Sequence, residues 1–217
     1  DGDGDGDGDG DGDGDGDGDG DGDGEPCWGD PSIETWPLGA PVLAVDEPGL
    51  GMGNNASGAM WDPSSDILWT VINGPSHLYK LVFDDTTGKF VAASGWESPA
   101  TLTFPGGGGQ PDSEGVTLDA SGRVLVSIER DNFQSGTSRL SVLRIDASGA
   151  SGTLEALTEW NLTATLGGQG INVGANAGLE ALTFIPDAHA VSAGLMDVEG
   201  GGLYDPSNLA PHLGGVV

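Results

Sequence analysis

Six residues have the types and spacing to do chemistry together: Asn55, Asp112, Glu114, Glu129, Arg130 and Glu180. The densest of the stretches that hold them is DSEGVTLDASGRVLVSIER, from Asp112 to Arg130. It reads as two strands joined by the tight turn Asp119-Ala120-Ser121-Gly122, with an acid at each open end. A hairpin folds its open ends together, so Glu114 and Glu129 are predicted to be neighbours. Two carboxylates held close repel one another, and a cation or a shared proton relieves them. Arg130, directly after Glu129, either forks an anionic substrate or pairs with Asp131 or Asp112.

The elements that must position these residues are strands. Short apolar or alternating runs occur at Ala59–Trp61, Ile67–Ile72, Leu78–Phe83, Phe90–Ala93, Gly115–Leu118, Arg123–Ile128, Leu140–Ile145 and Leu154–Trp160. Asp62-Pro-Ser-Ser-Asp66, Asn73-Gly-Pro-Ser76, Asp84-Asp-Thr-Thr-Gly88 and Asp146-Ala-Ser-Gly149 separate them with turn chemistry. No useful length keeps helical periodicity, so the fold class is all-β. The strands also recur as groups. Asn55-Ala-Ser57-Gly58, Asp112-Ser-Glu114-Gly115 and Gly178-Leu-Glu180-Ala181 open them, 57 and 66 residues apart. Groups of that length predict a β-propeller of four-stranded antiparallel blades, with blade starts near 55, 112 and 178. Three blades make an incomplete propeller, so the chain reads as part of a longer protein. Innermost strands line a propeller's channel, which would set Ser57, Glu114 and Glu180 in one polar ring. Asn55 and Asp112 lie two residues upstream on the same strand faces, and Glu129 approaches the same mouth. Such oxygens predict a calcium site of Glu114, Glu180, Asp112 and Asn55. The bland alternative is that Glu114 and Glu180 bond neighbouring backbone.

Composition narrows the partners. Net charge is −29, and even outside the first 24 residues acids far outnumber the six Lys and Arg. Such a surface repels phosphate backbones and anionic lipids, arguing against nucleic acid and membrane insertion. Residues 1–24 are twelve Asp-Gly repeats without apolar surface, predicted to be a disordered linker with at most loose cation binding. Asp19, Asp21, Asp23, Gly24 and Asp30 match part of a calcium loop, but Pro26 and the lack of flanking helices spoil the match. Residues 25–53 form a Pro/Gly-rich lead-in with one short strand at Pro41–Asp46, and residues 54–217 the propeller portion. Cys27, the one cysteine, permits no internal disulfide.

Other candidates carry less. His77, His189 and His212 have no metal-ligand spacing. No Gly-x-Ser-x-Gly elbow occurs, and Gly106–Gly109 precedes no helix. Trp61, Trp69, Trp96 and Trp160 fall within or beside strands and read as packing between blades. Asn55-Ala-Ser57 and Asn161-Leu-Thr163 are chance matches to a glycosylation acceptor.

The ordered run NNASGAMWDPSSDILWTVIN, DSEGVTLDASGRVLVSIERD and NAGLEALTFIPD resembles the phytase-like propeller family ("esterase-like activity of phytase"), related to calcium-bearing propellers of the SdiA-regulated type. The resemblance covers about residues 54–187. It implies that Glu114, Glu129 and Glu180 face a calcium-bearing channel and that Arg130 stands near a bound anion. Asn55 departs from the pattern, standing where related propellers often carry Glu. The scarcity of Lys and Arg fits poorly with inositol hexakisphosphate. The expected function is a secreted, calcium-dependent hydrolase of a phosphate or carboxylate ester. In it, metal-bound water would attack, Glu129 would act as base and Arg130 would hold the anion. The alternatives are a non-catalytic calcium-stabilised binding or surface-display module, and a lactonase-like propeller. The expected location is extracellular, periplasmic or cell-surface, with any surface or matrix partner reached through the longer protein.

Overall fold

Three turns of one design set the hairpins of this chain. Asp62 Oδ1 accepts the Ser64 N–H at 2.9 Å, Asp84 Oδ1 that of Thr86 at 2.9 Å, and Asp119 Oδ1 that of Ser121 at 2.8 Å. Gly88 and Gly122 then take φ of 65° and 76° to close the second and third turns, a left-handed backbone that suits glycine.

The structure is a computed structural model that describes residues 47–217 except 54, 172, 175, 210 and 211. The Asp-Gly stretch, Cys27 and the strand expected at Pro41–Asp46 lie outside the described residues. A short helix α1 (Glu47–Leu50) precedes strands β1 (Ala56–Asp62), β2 (Ile67–Ile72), β3 (His77–Asp84), β4 (Lys89–Ala92) and β5 (Ala100–Thr103). Then come β6 (Pro111–Leu118), β7 (Val124–Asp131), β8 (Ser138–Ile145), β9 (Thr153–Glu155) and β10 (Thr158–Asn161). The protein is mostly β, built on antiparallel sheets. One sheet orders β1-β2-β3-β5-β9, with β4 pairing the far half of β3; the other orders β10-β8-β7-β6. Each of these sheets contains the expected four-stranded meander.

The core lies between the two sheets. Trp69, Val71, Leu78 and Leu102 from the first meet Val116, Val124, Val126, Ile128, Leu143 and Ile145 from the second. On the first sheet's opposite face Ile72, Tyr79 and Leu81 gather with Met52. Strand β7 is buried on both faces, Leu125 and Ser127 as fully as Val124 and Val126.

Two expectations need correction. The run Leu154–Trp160 is not one strand: β9 joins the first sheet in parallel through Thr101↔Thr153, and β10 joins the second through Trp160↔Val142. Buried Ala156 and the turn after it carry the chain from one sheet to the other. The third group does not form a four-stranded sheet. Gly178–Phe184 contains no strand, and after it come β11 (Ile185–Pro186), helix α3 (Asp187–Ser192), β12 (Met196–Asp197), β13 (Gly202–Leu203) and β14 (Gly215–Val216), with helix α2 (Thr163–Gly168) earlier. Beyond Pro186 the sequence turns to Ala, Gly and Pro without an alternating β-branched run, so it has no long strand to offer. Among the described residues no helix is long and apolar enough to cross a membrane.

Candidate metal centre

The site is built on two faults in the β6–β7 pairing. Pro111 faces Asp131, Ser113 faces Ile128 and Gly115 faces Ser127. Between the first two pairs β7 carries the extra residue, so Glu129 and Arg130 stand opposite Asp112 alone. Between the second and third β6 carries it, and that residue is Glu114. Bulges of this kind re-aim side chains that a regular ladder would send to alternate faces. The outcome is that carboxylate oxygens of Asp112, Glu114 and Glu129 all lie within 4.8 Å of one another. The three residues are only 2%, 8% and 3% exposed.

Few donors meet this charge. Arg130 Nε lies 2.6 Å from Asp112 Oδ2. The two form an ion pair, and Arg130 Nε also donates a long bond to Asn132 Oδ1 at 3.4 Å. Asn132 Nδ2 stands 3.4 Å from Asp112 Oδ1 while donating to the Asn73 carbonyl at 2.8 Å. Asn73 Nδ2 donates a long bond, 3.4 Å, to Glu114 Oε1, and the Ser57 hydroxyl also reaches the Glu114 carboxyl. The Gly178 N–H donates to Glu129 Oε1 at 3.1 Å.

Burial sets the electrostatics, since desolvation disfavours the charged form. It raises the Asp112 carboxyl above its ordinary value despite the opposing charge of Arg130. It raises Glu114 as well, with the neighbouring Asp112 charge adding to burial and the Ser57 bond opposing it. Glu129 is pushed up to about 7, first by burial and then by its hydrogen bond and like charge with Glu180.

Close backbone approach holds the three openings together. A Cβ on Gly58 would sit 2.5 Å from the Glu114 carbonyl oxygen, and one on Gly115 would sit 2.9 Å from Ala181 Cα. On Gly178 it would meet Leu140 Cδ2 at 2.6 Å and Glu129 Cα at 3.2 Å. The backbone at Gly58 therefore approaches Glu114 and Gly115, and that at Gly115 approaches Ala181.

Of the residues singled out from sequence, Asp112, Glu114 and Glu129 converge, and exposed Glu180 joins through its bond to Glu129. Arg130 takes the pairing with Asp112, one of the two roles open to it. Asn55 stands apart, since its amide donates to the Gly74 carbonyl at 2.9 Å and the residue is exposed. Asn73 and Asn132 were not singled out, although both supply donors to the group. The Asn-Gly-Pro turn at 73 and the Asn directly after Glu129-Arg130-Asp131 were the available signals. Trp69 and Trp96 are buried edge-to-face at 5.7 Å, as packing residues should be. Trp61 and Trp160 are exposed, which corrects the packing role expected of them.

The family model described as SdiA-regulated matches residues 42–193. The chain belongs to the SdiA-regulated family. This is a phytase-like, β-propeller family, and the match spans both large sheets and every member of the carboxylate group. No curated protein matches the chain.

The donor set of this SdiA-regulated chain fits a hard divalent cation. Every converging atom is a carboxylate oxygen, and among the described residues a single arginine, Arg130 on Asp112, pairs with the three acids. Oxygen-only sets of this kind suit calcium, whereas zinc takes nitrogen and sulfur ligands more often.

Proposed function

We propose that the chain is a calcium-binding part of a β-propeller, with the cation held by Asp112, Glu114 and Glu129 and with Glu180 at its solvent edge. One observation carries the reading: three buried carboxylates lie within 4.8 Å of one another and the pairing charge beside them is Arg130. Buried charges need compensation or they stay neutral. A bound calcium ion would supply that compensation and tie β6 to β7. In this reading β1–β4 and β6, β7, β8 and β10 are two blades, and residues from Gly178 open a third. The side-by-side approach of Gly58, Gly115 and Ala181 supports it.

The test is thermal unfolding and calorimetric titration in calcium, magnesium and chelator. Calcium should raise Tm and bind with measurable heat, magnesium should do so more weakly, and Glu114→Gln and Asp112→Asn should each remove the effect. An unchanged Tm with no heat of binding sinks the proposal.

Ester hydrolysis is a second reading, favoured by the exposure of Glu180 beside Glu129. Glu180 would give the buried group a solvent edge, where a small anionic or ester substrate could enter. Glu129 would hold or accept the proton there, Arg130 would fix Asp112, and the residues packed around Gly115 and Gly178 would keep bulk water out. Aryl phosphate, aryl acetate and lactone assays with and without calcium separate the readings. Turnover that vanishes in Glu129→Gln supports hydrolysis, and turnover of lactone alone supports a lactonase. Calcium-dependent stability with no turnover leaves a binding or surface-display module. The acidic surface supports a location outside the cytoplasm, in the periplasm, at the cell surface or beyond it, which fractionation of producing cells checks.

A further inference from the structure

Away from the carboxylates, the turn between β1 and β2 and the β3–β4 hairpin border an open cleft of about 540 Å3. Trp61, Phe83 and Phe90 wall it, and Ser65, Asp66, Val82 and Asp85 complete the lining. The rings stand at angles to one another. Trp61 and Phe90 have centroids 6.0 Å apart at 70°, and Phe83 and Phe90 5.3 Å apart at 67°. Phe83 faces Phe90 directly across the hairpin. Trp61 and Phe83 remain 43% and 49% exposed, which is unusual for aromatic residues with a core nearby to enter.

The lining restricts what can occupy it. Both charged members are acids and the whole chain carries −29, so anions are repelled. A sugar needs side-chain donors as well as acceptors. The Ser65 hydroxyl already donates to Asp62 Oδ2 at 2.5 Å, and no amide or basic side chain lines the cleft among the described residues. A neutral apolar ligand would use the rings alone and leave the two exposed rim carboxylates, Asp66 and Asp85, without any part in binding. An organic cation suits this lining best: its methyl groups would pack on the aromatic walls and its charge would be attracted to their π-systems and to Asp66 and Asp85 at the rim. The same sheet uses this chemistry internally, with Lys80 Nζ 5.3 Å from the centre of the Trp69 ring and 5.9 Å from that of Trp96.

We infer that the Trp61–Phe83–Phe90 cleft with its Asp66 and Asp85 rim is a binding site for a small methylated ammonium compound. The site is independent of the calcium reading, because it shares no residue with the carboxylate group.

Choline and 3,3-dimethylbutanol make the decisive probes, since they share a shape and differ in charge. Their methyl proton signals are followed by NMR as the full chain is added. Choline should shift upfield under the rings and bind about fivefold or more tighter than the neutral isostere. Trp61→Ala should weaken choline about tenfold, and Asp66→Asn with Asp85→Asn should remove the preference for charge. Glu114→Gln should leave choline binding intact, separating this site from the metal centre. Should Trp61→Ala not fold, the two exposed Asp substitutions still decide the matter. Equal binding of the two probes reduces the site to an apolar cleft and overturns the inference, as does the absence of any shift with choline.

Discussion

Replacing Glu129 with Gln should stabilise the metal-free protein, and should do so more as pH rises. The Glu129 carboxyl is 3% exposed and its half-ionisation is pushed from 4.5 to about 7 in the folded chain. Well below pH 4.5 the folded and unfolded chains both hold the proton. Between 4.5 and about 7 the unfolded chain releases it while the folded chain keeps it, so stability falls as pH rises and levels off above about 7. At about 1.4 kcal/mol per pH unit, the ionised folded form carries a penalty of about 3 kcal/mol at pH 8. Gln keeps an acceptor for the Gly178 N–H and a donor for Glu180 but does not ionise. In chelator at pH 8, Glu129→Gln should therefore raise Tm by roughly 6–12 °C for a domain of this size. At pH 5 the gain should shrink to about 1 kcal/mol. Calcium should reverse the sign, because Gln is a poorer ligand than a carboxylate. Thermal melts followed by circular dichroism at both pH values, in chelator and in calcium, read all of this. An equal shift at pH 5 and pH 8 in chelator, or a lower Tm at pH 8, refutes the claim that Glu129 ionises under strain.

Gly58→Ala should destabilise by at least about 2 kcal/mol in urea unfolding, because its Cβ would meet the Glu114 carbonyl oxygen at 2.5 Å, whereas Gly108→Ala, with nothing within 4 Å, should be near neutral. Asp119→Asn should cost about 2–4 kcal/mol, since Asp119 Oδ2 pairs Arg144 Nε at 2.7 Å while Oδ1 accepts from the Ser121 and Arg123 backbone. Burial pushes the Asp119 carboxyl up, but those donors outweigh it and leave it below the usual range. Its contribution is therefore present at neutral pH and lost only as pH falls through its lowered pKa, and Asp119→Asn should flatten the acid limb of the stability–pH curve. Asp187 accepts the Tyr204 hydroxyl at 2.8 Å and lies 2.8 Å from His212 Nε2. Asp187→Ala should speed hydrogen exchange in β13 and β14 without changing that of β7 and β8.

The first two meanders were legible because local chemistry agreed with the global fold. Asp-led turns at 62, 84 and 119 mark the hairpins, and apolar runs such as VLVSI at Val124–Ile128 mark strands buried on both faces. Hairpin closure alone made Glu114 and Glu129 neighbours along the ladder, but a regular ladder would point them to opposite faces, and it is the bulges that let them meet beside Asp112. Those bulges were not legible, because a register fault depends on which partner residue the ladder skips. Asn55 was placed by period-two reasoning from Ser57, yet the chain shifts register between Ala56 and Gly58, and the side chain turns to Gly74 instead. The split of Leu154–Trp160 was hidden for a related reason. Two short strands belonging to different sheets look like one in sequence, since periodicity records a face and not a partner.

Strand β9 has a consequence for synthesis. The free edge of β5 is closed by Thr153–Glu155, which the ribosome adds only after the whole of β6, β7 and β8 has been made. A nascent chain that ends near residue 145 therefore has its first meander complete but one flank still open to pairing with a neighbouring chain. During that interval the dense negative charge of the segments already made would keep nascent neighbours apart until the late strand seals the flank.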